Sequence, residues 1–532
     1  MSPSRPAPGA AVRRWRVAAI ASLAVALLAP LAGAPPVANP NELVRVELAV
    51  ALAVDGTVDL EAPALVYGLS EDVARHDRRV LADKAPGLSL MAVPVLWLAG
   101  GLLPTVPGTN LPAFWPLRHL LTALLVGLAT LLLASVVLPR LTGSAADHAA
   151  PVAVIAVVCT PLWTYGTVFF GHATAAALVA AAWLLLLGRP AGAGGVGTAA
   201  AGGVVAGLAV ATEYPTAVLV LVMAVTLLVR RTSPAEIAAA VGGIGLGALP
   251  MLLYHQAAFG SPWLTGYAFK ADPGFAEIHG GGVSGVGPPT AEALWGVLFG
   301  SSRGLLFYSP LLLLVPVGLW LMVRRTGWRE AGPLTAAAVL YVAFAAGFSD
   351  WQAGWGAAAR HLVPVVPLLL VPTVAAAVDM ARRPLGLAIL AVLAAASATR
   401  TALTVAVSPF LPPEVPRPLA ELVLPSLADG ALHPTLPGAL LGVPDWTVHA
   451  VVGGLAAAAL TWALARLGGG GRRWRPVAVL VLAVVALQVG WLAWRGGRPA
   501  PEREALRAQW LVMVGQEDAG RRLAAELAAM PP

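Results

Sequence analysis

Asp83-Lys84-Ala85-Pro86-Gly87 sets an acid beside a base directly ahead of an apolar stretch, Leu88–Leu103. A carboxylate in such a place can take a proton, and an ammonium can hold an anion as a point charge. Other polar residues stand at the ends of apolar runs. These are Arg303 in Ser301-Ser302-Arg303-Gly304, Arg360-His361 after the Trp351/Trp355 segment, His172 after Gly171, and the pair Glu213-Tyr214. Taken singly, each fits an interfacial anchor. Lys84, Arg303 and Arg360 gathered on one face beside an acidic segment suit an anionic lipid head group, because Arg makes bidentate contacts to phosphate.

The elements that position these residues must cross a membrane. Of 532 residues, 58% are hydrophobic and only 11% charged, and the mean hydropathy is +0.78. A soluble surface needs about a quarter of residues charged. This composition excludes a water-soluble enzyme, a disordered tail protein and a fibrous protein. The single cysteine, Cys159, leaves no disulfide framework and no Cys-based metal site.

Apolar runs of the length needed to span, about 20 residues, occur at roughly 17–36, 88–103, 118–139, 151–168, 170–188, 198–212, 214–229, 236–258, 304–323, 331–348, 361–379, 384–408, 447–465 and 476–494. Loop charge decides the short run at 88–103, which holds Pro94. If it lies on the membrane surface and the N-terminus with Arg13, Arg14 and Arg16 is inside, every inner loop carries Arg: Arg140; Arg189; Arg230 and Arg231; Arg324, Arg325 and Arg329; Arg382 and Arg383; and Arg466, Arg472, Arg473 and Arg475. If it spans, the pattern inverts. The expected fold class is therefore an all-α polytopic membrane protein of about thirteen spans, with an interfacial helix at 88–103. The N-terminus is expected in the cytoplasm and the C-terminal tail outside. The net charge of +7 follows from this Arg distribution, and no nucleic-acid partner is expected. The first span, with Arg-rich start and Ala32-Gly33-Ala34, also mimics a signal peptide, but Pro35 is a poor cleavage neighbour.

Three long outer segments hold most of the acidic residues: roughly 37–117, 259–303 and 409–446. Segments this long between spans either do the work or cover it. The Gly run at 280–282 suits a lid. The Ala-rich tail after Arg495 reads as amphipathic and without chemistry. No Walker loop, Gly-x-Gly-x-x-Gly, His-Glu-x-x-His or Gly-x-Ser-x-Gly motif is present.

The order of features resembles the GT-C membrane glycosyltransferases, in particular the aminoarabinose lipid A transferases and protein O-mannosyltransferases. It runs from Asn41-Glu42-Leu43-Val44-Arg45, through Lys84-Ala85-Pro86-Gly87 and the interfacial helix, to Arg118. Bacterial GT-C-like proteins of unassigned substrate are similar at Asp83–Gly87, Gly171-His172, Glu213-Tyr214-Pro215, Phe259-Gly260-Ser261-Pro262, Gly266-Tyr267, Ser302-Arg303-Gly304 and Arg360-His361-Leu362. The resemblance covers roughly residues 15–400. It implies a polyprenyl-phosphate-linked sugar as donor, and a glycan, lipid or protein acceptor on the outer face of the cytoplasmic membrane. A first-loop carboxylate would be the general base, with cations holding the phosphate as it leaves. The family places an Asp-Glu pair directly after the first span, whereas this chain reads Asn41-Glu42, so the base is open among Glu42, Asp59 and Asp72. Asp83, Lys84, Arg303, Arg360, His361, His172, Glu213 and Tyr214 are the expected substrate-binding residues.

The catalytic module is expected over 1–408, followed by a Pro-rich outer loop and two spans over 409–494 and the outer tail 495–532. No cofactor or metal is expected, and membrane lipids are partners. The main rival is a secondary transporter, which would place ionisable residues near the membrane midplane and show internal repeats. Arg400 alone falls inside a span, and no repeat is evident. A third reading is a degenerate relative that binds lipid-linked sugars without transferring them.

Overall fold

A computed structural model describes residues 39–99, 119–130, 148–188, 195–469 except 281 and 283, 474–496 and 501–529. The expected first span, the end of the 88–103 run, Arg118, Arg140, Arg189 and the Arg472-Arg473 connection lie outside them.

The chain is overwhelmingly helical. The first outer segment opens with α1 (Pro40–Val50), capped by Asn39, whose side chain accepts from the Asn41 N–H at 2.9 Å, with Pro40 in the first turn. A π-turn and Gly56, at φ 64°, end it. A short helix, α2 (Glu61–Tyr67), leads to an antiparallel hairpin of β1 (Val73–His76) and β2 (Arg79–Ala82), paired Val73↔Ala82 through His76↔Arg79. The two-residue turn Asp77-Arg78 takes positive φ at both positions, the twist that matches flanking strands. This hairpin is the exception to the expected all-helical reading. From β2, Arg79 donates to the carbonyls of Ala257 and Ala258 at 3.0 and 2.8 Å, satisfying the end of a helix from the far side of the chain.

The run at 88–103, expected to lie at the interface, forms α3 (Gly87–Ala99) over its described part. A Cβ on Gly87 would lie 2.5 Å from the Ala211 carbonyl carbon, so only glycine lets α3 start against that backbone. The outer end of α4 (Gly171–Leu186) abuts the same region.

Seven helices among the described residues are long and apolar enough to cross a membrane. They are α5 (Gly195–Thr212), α6 (Pro234–Phe259), α8 (Trp328–Gly347), α9 (Val366–Ala381, extended by a 3-10 turn from Arg360), α10 (Pro384–Ala406), α11 (Asp445–Leu467) and α12 (Trp474–Gly496). Shorter apolar helices include α4, Ala149–Val158 and Tyr214–Val229. The expected span at 304–323 is broken at Ser309-Pro310 into Leu305–Tyr308, a 3-10 turn and Val315–Thr326. α5 and α6 pack backbone on backbone through Gly203 and Gly207 on one and Gly243 and Gly247 on the other. Small residues four apart are what brings membrane helices this close.

Between α6 and α8, the second outer segment forms α7 (Pro273–Gly280). It is stitched at both sides by isolated bridges, Ala74↔Lys270 and Val286↔Phe348. The tail folds as a hairpin of α13 (Pro501–Met513) and α14 (Glu517–Ala528). It docks on the third outer segment: Trp510 Nε1 donates to Phe410 O at 2.7 Å and Gln516 Nε2 to Val407 O at 3.0 Å.

Candidate functional site

These outer segments enclose a cavity of about 270 Å³. One wall is charged, with Arg45, Asp72, Lys84, Glu213, Lys270 and Arg360. The other is aromatic and apolar, with Tyr267, Phe275, Ile278, Phe348, Trp355 and Phe410.

Asp72 follows the turn at Ser70, whose hydroxyl accepts the Asp72 N–H at 3.1 Å. Lys84 Nζ lies 2.8 Å from Asp72 Oδ1 and 3.3 Å from Asp83 Oδ2. Lys270 completes the group by pairing with Asp83, with its Nζ 3.9 Å from Asp72. Burial pushes the Asp72 carboxyl up, but the charges of Lys84 and Lys270 outweigh it and hold Asp72 below the usual carboxylate range. Asp83 is wholly buried, and that burial raises it in spite of the same two cations. Two neighbouring carboxyls are thus driven apart, the lower one facing the cavity. Lys84 is raised: burial works against its charge, but Asp72 and Asp83 prevail. Lys270 is lowered by burial and by Lys84, against both acids.

A second cluster joins three elements. Arg45 on α1 donates to Glu213 Oε1 at 2.9 Å, and His172 Nδ1 lies 3.5 Å from the same oxygen. Gly171 permits this, since a Cβ there would sit 2.3 Å from Glu213 Oε1. His361 faces His172 at 5.8 Å between ring centroids. Above them, His279 stacks on Tyr267 at 4.2 Å. Burial pushes His279 down to about 4, helped by the charges of Lys270 and Lys84, so the ring is neutral at pH 7.

Arg360 differs from the other cations of the cavity. Its Nη1 donates to the Trp355 carbonyl at 3.3 Å and its guanidinium lies 5.6 Å from the Phe170 ring centre. Among the described residues it makes no ion pair, whereas Arg45, Lys84 and Lys270 each hold a carboxylate.

Asp72, Lys84, Arg360, His361, His172 and Glu213 thus line one cavity, with Asp83 directly behind it. Four other expected residues lie elsewhere. Arg303 is buried and donates to the carbonyls of Gln352, Ser302, Gly354 and Leu411, clamping the cavity wall from behind. Tyr214 bonds His255 Nε2 at 2.8 Å, whose Nδ1–H points to Pro262 O. Glu42 is fully buried and accepts the Phe169 N–H at 2.5 Å. Asp59 accepts the N–H groups of Glu61 and Val80 and acts as a turn brace. Arg45 and Lys270 are cavity residues that sequence reasoning passed over, because their partners are 168 and 187 residues away. The tail, read as amphipathic and without chemistry, reaches the cavity rim only through the apolar Met513 and Val514 among the described residues.

ArnT from Cupriavidus metallidurans, solved with undecaprenyl phosphate bound, superposes with a TM-score of 0.50 at 18% identity, over 94% of this chain and 80% of that one. This chain has the GT-C fold. The apo oligosaccharyltransferase of Archaeoglobus fulgidus aligns at a TM-score of 0.39 and 12% identity, over 98% of this chain and 60% of that one. No family model and no curated protein matches the chain.

Proposed function

We propose that this chain is a GT-C membrane glycosyltransferase that moves a sugar from a polyprenyl-phosphate-linked donor to a hydroxyl acceptor on the outer face of the cytoplasmic membrane. The observation that carries the reading is Arg360, a cavity cation with no carboxylate partner among the described residues, in the same cavity as Asp72, whose carboxyl is held low by its cations. A cavity guanidinium with no carboxylate partner among the described residues supports a phosphate ligand at this place. The ArnT that superposes on this chain binds undecaprenyl phosphate, which supports the same ligand here.

Asp72 takes the proton of the acceptor hydroxyl as its oxygen forms a bond to the anomeric carbon. The bond from that carbon to the phosphate oxygen breaks, and its electron pair leaves with the polyprenyl phosphate. Arg360 and Lys84 stabilise the charge that collects there. Tyr267, His279 and Trp355 give the sugar flat faces to lie against. The charged residues gather in this outer cavity, which disfavours transport through the membrane midplane.

The test is thermal stability in detergent with and without undecaprenyl phosphate, in wild type, Lys84→Ala and Arg360→Ala. At 100 times its dissociation constant the lipid adds about 2.7 kcal/mol. A shift in wild type that both variants lose is expected. No shift in wild type sinks the reading.

A further inference from the structure

Two lysines of the cavity share the carboxylates Asp72 and Asp83, and the two are not equivalent. Lys84, with 12% of its side chain exposed, touches both acids. Lys270 is almost wholly enclosed, with 2% of its side chain exposed, and its closest partner is Asp83, which has none exposed. The placement of Lys270 is built in. A Cβ on Gly266 would meet the Asp83 Cα at 2.4 Å, so the turn before Lys270 lies directly on the Asp83 backbone. Ala74↔Lys270 bridging and the bond from Ala271 N to Val73 O then hold the residue against the hairpin.

A phosphate that docks on Lys84 must draw that ammonium away from Asp72 and Asp83. Asp72 faces the cavity and can be resolvated or take up a proton from the acceptor. Asp83 has no exposed side chain through which water could reach it and does not face the acceptor, so as a carboxylate it is costly without a cation beside it. Lys270 is the cation already seated on it.

We infer that Lys270 is a positioning residue: it is the resident counter-ion of Asp83, and by staying there it releases Lys84 to bind the donor phosphate and uncovers Asp72. This rests on the phosphate site proposed above. Lys270 also lines the cavity, and its part here is to stay on Asp83. In its absence Lys84 is, among the described residues, the one cation left in contact with Asp83, and it is withheld from the ligand.

The consequence is a rescue that a structural role would not produce. Dissociation constants for undecaprenyl phosphate are measured on the full-length protein in detergent, in wild type, Arg360→Ala, Lys270→Met and the double variant Asp83→Asn/Lys270→Met. Lys270→Met is expected to weaken binding about tenfold, equivalent to about 1.4 kcal/mol. The double variant, with no bare acid to claim Lys84, is expected to return to within about twofold of wild type. Unchanged binding in Lys270→Met overturns the inference, and so does a loss that persists in the double variant. If Lys270→Met does not fold, the double variant decides alone, and weak binding by it has the same meaning. A wild type that does not bind the lipid removes the phosphate site and this inference together. A wild type whose binding depends on Arg360 while Lys270→Met is indifferent removes only the inference.

Discussion

Arg303 donates from Nη2 to the Leu411 carbonyl at 2.9 Å, joining two outer segments 108 residues apart. Together with its bonds to Gln352 O and Gly354 O, this fixes the loop that carries Trp355 and leads into Arg360. Arg303→Ala leaves these carbonyls without their charged donor in a buried place, at a cost on the order of 3 kcal/mol. Arg303→Lys should recover little, because one ammonium cannot serve a forked set of acceptors. Chemical or thermal unfolding of the two variants checks this. Near-wild-type stability in Arg303→Ala would mean that the clamp is idle.

Three carboxylates compete for the role of base, and their surroundings separate them. Asp72 faces the cavity, whereas Glu42 holds a backbone N–H and Asp59 braces a turn. Asp72→Asn is expected to lower the turnover of a donor–acceptor pair by a factor of about 10²–10⁴ while retaining undecaprenyl phosphate binding. Glu42→Gln and Asp59→Asn should lower the melting temperature and leave the rate per folded molecule near wild type. If Glu42→Gln abolishes turnover at full stability and Asp72→Asn does not, the assignment moves to Glu42.

The membrane helices and the Asp83-Lys84 site were legible because their signals are local: an apolar run of the right length, and an acid and base adjacent in sequence. Arg303 was misplaced for a physical reason. A cation at the outer end of a span looks the same whether it faces phosphate or backbone carbonyls, and only the arrival of residues 352, 354 and 411 separates the two. Lys270 and Arg45 were invisible because each depends on a carboxylate brought in by tertiary packing. The hairpin at residues 73–82 was missed because its turn is Asp77-Arg78, not the Asn-Gly or Asp-Gly that marks such turns. The break at Ser309-Pro310 did carry a sequence signal, the proline, which the continuous apolar run masked.

The α5–α6 contact should tolerate no side chain. A Cβ at Gly247 would fall 2.1 Å from Val204 O, and one at Gly203 the same distance from Ala240 O, both rigid helix backbone. Gly247→Val is expected to cost about 1–3 kcal/mol or prevent assembly. Gly245→Val, on the same helix, has open space at its Cβ and serves as the control. Melting temperatures in detergent compare them. Equal losses in the two variants would show that helix propensity, not the close approach, sets the effect.

Glu47, on the buried side of α1, gives the outer region a pH dependence with a definite sign. Burial pushes its carboxyl from 4.5 up to about 8, against a smaller opposing effect from the Ser70 backbone. A carboxyl whose folded value is raised binds its proton more tightly in the folded state. Its contribution to stability is therefore complete below about pH 4.5 and is lost as pH rises towards 8. Glu47→Gln keeps the shape of the protonated acid and has nothing to lose over that range. The variant should match wild type near pH 5 and exceed it at pH 8–9, where wild type must hold a buried charge. Melting temperatures of both proteins from pH 5 to 9 provide the comparison, and parallel curves would mean that Glu47 finds its charge compensated in the folded state.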